Sequence, residues 1–322
     1  ATIAKEKGLE PLAAYIMLQN AGEPLEKTAE EYVSAEKEVN SAQEAIAGAK
    51  DIIAEAISDN ADYRSWIRKT TMKKGTLTST AKDPEAESVY EMYYEFQEAV
   101  SKLAGHRILA LNRGEKEKFL AVKVDAPEED ILRYLEKNTI RRENPYTTPV
   151  LKETVEDSYH RLIGPAIERE IRSELTEKAE DGAIEVFGKN LHQLLMQPPI
   201  AGKVVLGWDP AFRTGCKLAV VDPTGKVLGT TVIYPTAPTT PAKIKASKDL
   251  LKKIIPKYNI SLISLGNGTA SRESEQFIVD LLKEIPEKVQ YVIVNEAGAS
   301  VYSASKLASE EFPKFDVGQR SA

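Results

Sequence analysis

The sequence predicts a mainly α N-terminal region with a small β ribbon, followed by an α/β domain built on a mixed sheet. Three observations predict it. Over the first 200 residues apolar side chains recur at i, i+3, i+4 and i+7, the period of a helix face. Pro198 and Pro199 then stop that pattern, because proline cannot continue a helix. Beyond them short β-rich runs form a three-strand meander and then alternate with helical stretches, which suggests a mixed sheet covered by helices.

Taken in order, residues 42–57 place Ala42, Ala45, Ile46, Ala49, Ile52, Ile53, Ala56 and Ile57 on one helical face. Asn60 or Asp62 can cap a following helix through Trp66 and Ile67 that stops near Gly75. Residues 76–80 (Thr-Leu-Thr-Ser-Thr) and 119–124 (Phe-Leu-Ala-Val-Lys-Val) favour strands and can pair as an antiparallel ribbon. Residues 141–149 show no period and read as a loop. A second amphipathic helix runs through Val155, Tyr159, Leu162, Ile163, Ala166, Ile167, Ile171 and Leu175, and a third spans 183–196. After the prolines come strands at 203–208, 217–221 and 227–234. Asp222-Pro-Thr-Gly225 joins the last two as a type I turn. A helix at 241–255, a strand at 260–265, a helix at 271–283 and a strand at 289–294 complete the pattern. The domain boundary is expected at 197–202, giving a helical scaffold over 1–200 and the α/β domain over 201–322.

Hydrophobic residues at 42% and charged residues at 29% are ordinary globular values. No apolar run approaches the roughly 18 residues of a membrane-spanning helix. Charges at Lys5, Glu6, Lys7 and Glu10 are incompatible with a signal-peptide core. A single cysteine, Cys216, excludes an internal disulfide framework and a multi-cysteine zinc site, and it fits a reducing cytoplasm. The net charge of −6 hides an asymmetry: residues 1–200 carry 27 Lys and Arg against 37 acids, and residues 201–322 carry 16 against 12. An acidic half before a mildly basic one hints at a nucleic-acid surface in the second.

The chemistry gathers at strand ends. Asp209 follows the first strand of the meander, where a carboxylate can hold a divalent cation, as in ribonuclease-H-like nucleases, or sit beside the phosphates of ATP. It can equally be a turn-forming Asp-Pro. Gly266-Asn-Gly-Thr-Ala-Ser-Arg272 follows another strand and opens a helix, so its glycines and helix start can receive an anion, with Thr269 and Ser271 donating and Arg272 pairing with phosphate. The other reading is a helix capped by Thr269 or Ser271. It lacks the lysine and spacing of a P-loop. Glu296 ends a third run, so Asp209, Asn267 and Glu296 are expected at one sheet edge, the place where open α/β sheets take ligands. His106, His160 and His192 have no metal-like spacing. Cys216 reads as a small buried hydrophobe, residues 115–118 as a solvated face, and Arg107 and Arg113 as surface salt-bridge residues.

Residues 207–217 (Gly-Trp-Asp-Pro-Ala-Phe-Arg-Thr-Gly-Cys-Lys), 266–273 (Gly-Asn-Gly-Thr-Ala-Ser-Arg-Glu) and 295–303 (Asn-Glu-Ala-Gly-Ala-Ser-Val-Tyr-Ser) resemble signatures of the Tex family of bacterial transcription accessory proteins. Residues 1–11 and 173–179 resemble the same family's central helical region. The resemblance implies a ribonuclease-H-like (YqgF/RuvC-type) domain over 201–322, C-terminally truncated. It further implies that the chain is an internal fragment whose hairpin modules and OB-fold lie outside it. For the site it implies that Asp209 matches the first nuclease acid and Glu296 the YqgF strand-end acid. Asn267 stands where RuvC-type resolvases place an acid, and the helix bearing the last carboxylate is expected beyond Ala322. Ala211, where the family pattern usually has glycine, tightens the first turn.

The reading that follows is a nucleic-acid-binding platform, with RNA as the expected ligand and Arg213, Lys217, Thr269, Ser271 and Arg272 as phosphate contacts. The ribonuclease-H-like site is expected to be degenerate, with no cofactor. RNA polymerase or ribosome-associated proteins are expected as partners, and neither a membrane nor a small-molecule substrate is. The alternative is a nuclease or resolvase using Asp209 and Glu296 with Mg²⁺ or Mn²⁺.

Overall fold

The structure is a computed structural model that describes residues 1–322. It divides into two compact units, Ala1–Ile184 and Glu185–Ala322.

In the first unit the helix Ala42–Asp59 is central. The Ser41 hydroxyl accepts from the Glu44 amide, which starts the helix, and Ala45, Ala49, Ile53 and Ile57 are buried along one face. Asn60 caps the next helix, Ala61–Lys74, by accepting from the amides of Asp62 and Tyr63. Gly75 ends it where a Cβ would collide with the Thr71 carbonyl.

The ribbon has three strands rather than the expected two. β1 (Thr76–Ala81) lies between β2 (Glu95–Ala99) and β3 (Leu120–Asp125), antiparallel to both, with Thr76 opposite Asp125 and Ala81 opposite Leu120. The β1–β3 pairing is the expected one. β2 has no legible strand pattern because Glu-Phe-Gln-Glu-Ala offers one large apolar residue, Phe96.

A helix at Thr148–Asp157 passes through a π turn, Ser158–Ile163, into one helix of 32 residues, Gly164–Leu195. The separate helix expected at 183–196 is the end of this one. Its buried residues, Ile167, Ile171, Leu175 and Ala179, all lie in the first half, so the period breaks after Ala179 although the backbone continues. Of the expected solvated face at 115–118, Lys116, Glu117 and Lys118 are exposed and Glu115 is the exception. Glu115 receives two hydrogen bonds from the Arg172 guanidinium at 2.7 and 3.0 Å, and that contact holds its carboxyl below the usual range. Arg107 makes the expected surface pair, with Glu98 at 2.6 Å.

The second unit is a five-stranded sheet whose strands lie in the order Val227–Ile233, Cys216–Val221, Val205–Asp209, Leu262–Gly266, Gln290–Val294. β4 (Val205–Asp209), β5 (Cys216–Val221) and β6 (Val227–Ile233) form the antiparallel meander. β7 (Leu262–Gly266) and β8 (Gln290–Val294) extend it in parallel with β4. The expected turn closes β5 to β6: the Gly225 amide donates to the Asp222 carbonyl at 3.0 Å, with Gly225 at φ +89°. Helices Pro241–Tyr258 and Ser271–Glu284 pack Leu251, Ile255, Phe277, Ile278 and Leu281 into one core with Leu206, Trp208, Leu218 and Ile263. Burial of such side chains contributes roughly 1.5–3 kcal/mol each.

Candidate nucleic-acid interface

Because β4, β7 and β8 run parallel, their carboxyl ends share one edge of the sheet. Asp209 ends β4, Asn267 follows β7, and Glu296 follows β8 by two residues.

Asp209 is half-buried, and burial pushes its carboxyl above the usual aspartate range. Repulsion from Glu296 adds to the rise; the nearby Lys217 charge and a hydrogen bond from the Ser321 hydroxyl work against it. Ser321 belongs to a short helix, Val317–Ser321, which packs on β5.

Glu296 precedes the helix Ala297–Ser303, and its amide donates to Asn267 Oδ1 at 3.1 Å. The Asn267 amide in turn donates to the Val294 carbonyl at 2.9 Å. Asn267 thus clasps the β7 loop to the β8 loop with its one acceptor oxygen already engaged. The Glu296 carboxylate lies over the same loop. A Cβ on Gly266 would sit 3.3 Å from Glu296 Oε2, and one on Gly268 would collide with the carboxylate. The glycines of the 266–268 segment therefore make room for a side chain of the protein itself.

This donor set does not fit a two-metal hydrolytic centre, which needs several carboxylates around ions roughly 3.5–4 Å apart. Asp209 and Glu296 are the two acids here, the third strand-end position is the neutral amide Asn267, and no group of three or more His, Cys, Asp or Glu side chains is placed to hold a metal ion.

The basic and hydroxyl candidates divide into two kinds. Arg213, on the β4–β5 loop, and Arg272, in the first turn of Ser271–Glu284, are exposed, and neither forms an ion pair. Thr269 is exposed beside them. Lys217 has other work. Its Nζ donates to the Thr214 carbonyl at 3.3 Å, to Thr214 Oγ1 at 2.9 Å and to the Gly215 carbonyl at 3.1 Å. The expected cap by Thr269 or Ser271 is not formed. Ala270 precedes the helix at φ +63°, no side chain caps it, and the Ser271 amide donates to the Gly268 carbonyl at 3.2 Å.

Cys216 is buried as expected, its thiol 3.6 Å from the Ala211 carbonyl and 3.7 Å from Ser274 Oγ. The Ala211 carbonyl also accepts from Thr236 Oγ1 at 3.0 Å, which ties down the first turn. His160 meets Glu128 at 2.7 Å, far along the chain from this edge. Sequence reasoning missed Ser321, because no local pattern connects it with Asp209.

The family model for the Tex protein YqgF-like domain matches residues 203–322, and the Tex central region-like model matches residues 20–187. The chain belongs to the Tex family. It is 56% identical to the YdcI protein of Bacillus subtilis across its whole length, covering 45% of that relative. It is 37% identical to Protein tex of Bordetella pertussis, again over the whole chain and 42% of the relative. The human S1 RNA-binding domain-containing protein 1 is 34% identical over 99% of the chain and 33% of its own length. The chain thus spans less than half of each of these Tex relatives. In this Tex chain no helix is long and apolar enough to cross a membrane.

Proposed function

We propose that this chain is the non-cleaving, nucleic-acid-binding platform of a cytoplasmic transcription accessory protein, with RNA as its ligand and polymerase or ribosome-associated proteins as partners. Residues 1–200 act as the helical scaffold and 201–322 as the binding domain. The observation that carries the reading is the pair of exposed, unpartnered guanidinium groups at the edge that carries Asp209 and Glu296, Arg213 on the β4–β5 loop and Arg272 in the first turn of Ser271–Glu284. Arginines without carboxylate partners are suited to bidentate phosphate contact. Thr269 and Ser271 stand next to Arg272 as hydroxyl donors. Membership in a family with transcription accessory members, and a human relative named for an S1 RNA-binding domain, support the same reading.

The test is fluorescence anisotropy with labelled single-stranded RNA and the full-length protein carrying this chain. Replacing both arginines, Arg213→Gln with Arg272→Gln, is expected to lower the log–log salt slope by about 1.4, at roughly 0.7 per phosphate contact. Absence of binding at low salt would refute the platform. Cleavage of RNA or DNA junctions with Mg²⁺ or Mn²⁺, abolished by Asp209→Asn, would establish the nuclease alternative in its place.

A further inference from the structure

The positive charge of the second unit is concentrated on one element. The helix Pro241–Tyr258 carries six lysines, Lys243, Lys245, Lys248, Lys252, Lys253 and Lys257, against one acid, Asp249. Without it, the basic excess of residues 201–322 disappears. Its apolar side is used up by the core, where Ser247, Leu251 and Ile255 are buried against the sheet. The lysines therefore occupy the flanks and the outer side.

They are not equivalent. Lys248 and Lys252 reach across to Glu284 at 2.7 and 2.9 Å and hold its carboxyl down to about 2. These two lysines fasten one helix to the next. The other four, Lys243, Lys245, Lys253 and Lys257, are exposed and form no ion pair. Lys243 lies over the Tyr234 ring at 5.2 Å and Lys257 over the Tyr258 ring at 5.0 Å, which keeps both side chains extended on the surface. From Lys243 to Lys257 the helix advances about 21 Å at ~1.5 Å per residue. One strand of a duplex presents a phosphate about every 3.4 Å, so about six phosphates pass over that length.

We infer that the outer face of the helix Pro241–Tyr258 is a phosphate-backbone contact surface for nucleic acid, formed by Lys243, Lys245, Lys253 and Lys257. Charge complementarity selects this partner, and the missing apolar component argues against the other polyanionic surface, a lipid headgroup layer. A membrane-seated amphipathic helix needs an exposed apolar face; here that face is in the core and the outer side offers only Ala242, Ala246 and Pro256 between the charges. Lysine ammonium groups act as point charges, so the surface attracts without reading sequence. It depends on the nucleic-acid reading proposed above, but it is separate from Arg213 and Arg272.

The experiment compares the full-length protein with the variant Lys243→Gln, Lys245→Gln, Lys253→Gln, Lys257→Gln in anisotropy titrations against a labelled single-stranded RNA and a duplex of the same length, from 50 to 200 mM salt. Four lost contacts at roughly 0.7 each flatten the single-strand slope by about 2.8, so the wild type loses about 50-fold more affinity than the variant over that range. Lys248→Gln with Lys252→Gln serves as the comparison that removes the same kind of charge from the Glu284 contact, and it is expected to leave the slope within about one unit. Unchanged slopes in the fourfold variant, with wild-type binding intact, overturn this surface and leave the strand-edge arginines standing. No binding by the wild type overturns both readings. Retained RNA slopes together with loss of binding to phosphatidylserine vesicles assign the face to a membrane and overturn the nucleic-acid contact. Circular dichroism melting of each variant establishes that the fold is retained.

Discussion

Lys217→Met separates a structural lysine from a phosphate-binding one. Lys217 stands directly opposite Asp209 in the β4–β5 pairing, and its three N–H donors are matched by three acceptors on the turn, the Thr214 carbonyl and hydroxyl and the Gly215 carbonyl. Its aliphatic stem runs beneath Gly318, where an added Cβ would lie 3.2 Å from Lys217 Cε. Methionine keeps most of that stem and removes only the ammonium. Hydrogen bonds to charged groups are worth roughly 1.5–3 kcal/mol each when buried, but these lie near solvent, so the set of three is expected to contribute about 1–2 kcal/mol net. For a domain of roughly 140 residues this is a fall of about 3–7 °C in melting temperature. Loss of the nearest cation is also expected to raise the Asp209 carboxyl further, readable by carbon-detected NMR titration, because Lys217 is what pulls it down against Glu296. The salt slope of RNA binding should stay as it is. An unchanged melting temperature combined with a flatter salt slope would refute this reasoning and return Lys217 to the phosphate contacts.

Two further outcomes follow from the charged groups. Asp209 has a folded-state pKa above its unfolded value of about 3.9, so stability is lost as pH rises from that value through the folded pKa. Asp209→Asn is therefore expected to raise the melting temperature at pH 7 and leave it nearly unchanged at pH 3; an equal gain at both would show that ionisation is not the cause. Glu115 is the opposite case. Arg172 depresses its pKa, so its stabilisation is present above about 4.3 and is lost as pH falls through the folded value. Arg172→Met, which also abandons Asn112 Oδ1 and the Val122 carbonyl, is expected to cost about 1–2 kcal/mol in urea unfolding at pH 7, after allowance for solvent screening, and to flatten the acid limb. A variant as stable as the wild type would mean that this ion pair contributes nothing net.

What could be read from the residues depended on how locally each feature is encoded. The helix at 42–59 and the β5–β6 turn are written in short patterns, a 3.6 period and an Asp-Pro-Thr-Gly sequence, and both appear where expected. The convergence of Asp209, Asn267 and Glu296 was also legible, since strand order in a parallel sheet fixes which loops share an edge. The third ribbon strand was hidden because an edge strand carries little hydrophobic alternation. The length of Gly164–Leu195 was hidden because its second half buries no residue and so carries no continuous apolar period. The division of the lysines into fasteners and free charges was not legible at all. It depends on where Glu284 and the Thr214 carbonyl stand in space, and no spacing along the chain records that.

The acid pair constrains where a nucleic acid can run. Asp209 and Glu296 face one another with a single ammonium nearby, and that ammonium is already bonded to the β4–β5 turn. When both carboxylates are ionised the spot keeps a net negative charge. A phosphate brought within about 4 Å of one unpaired carboxylate would meet roughly 1–4 kcal/mol of repulsion, comparable to what a good lysine contact returns. The tips of β4 and β8 are therefore a poor seat for a backbone, while Arg213, Arg272 and the lysines of Pro241–Tyr258 are favourable ones. Repulsion at the tip and attraction around it act together, as specificity commonly requires. Under the proposed nucleic-acid reading the two acids would turn a strand past the sheet edge, toward Arg213, Arg272 and the basic helix.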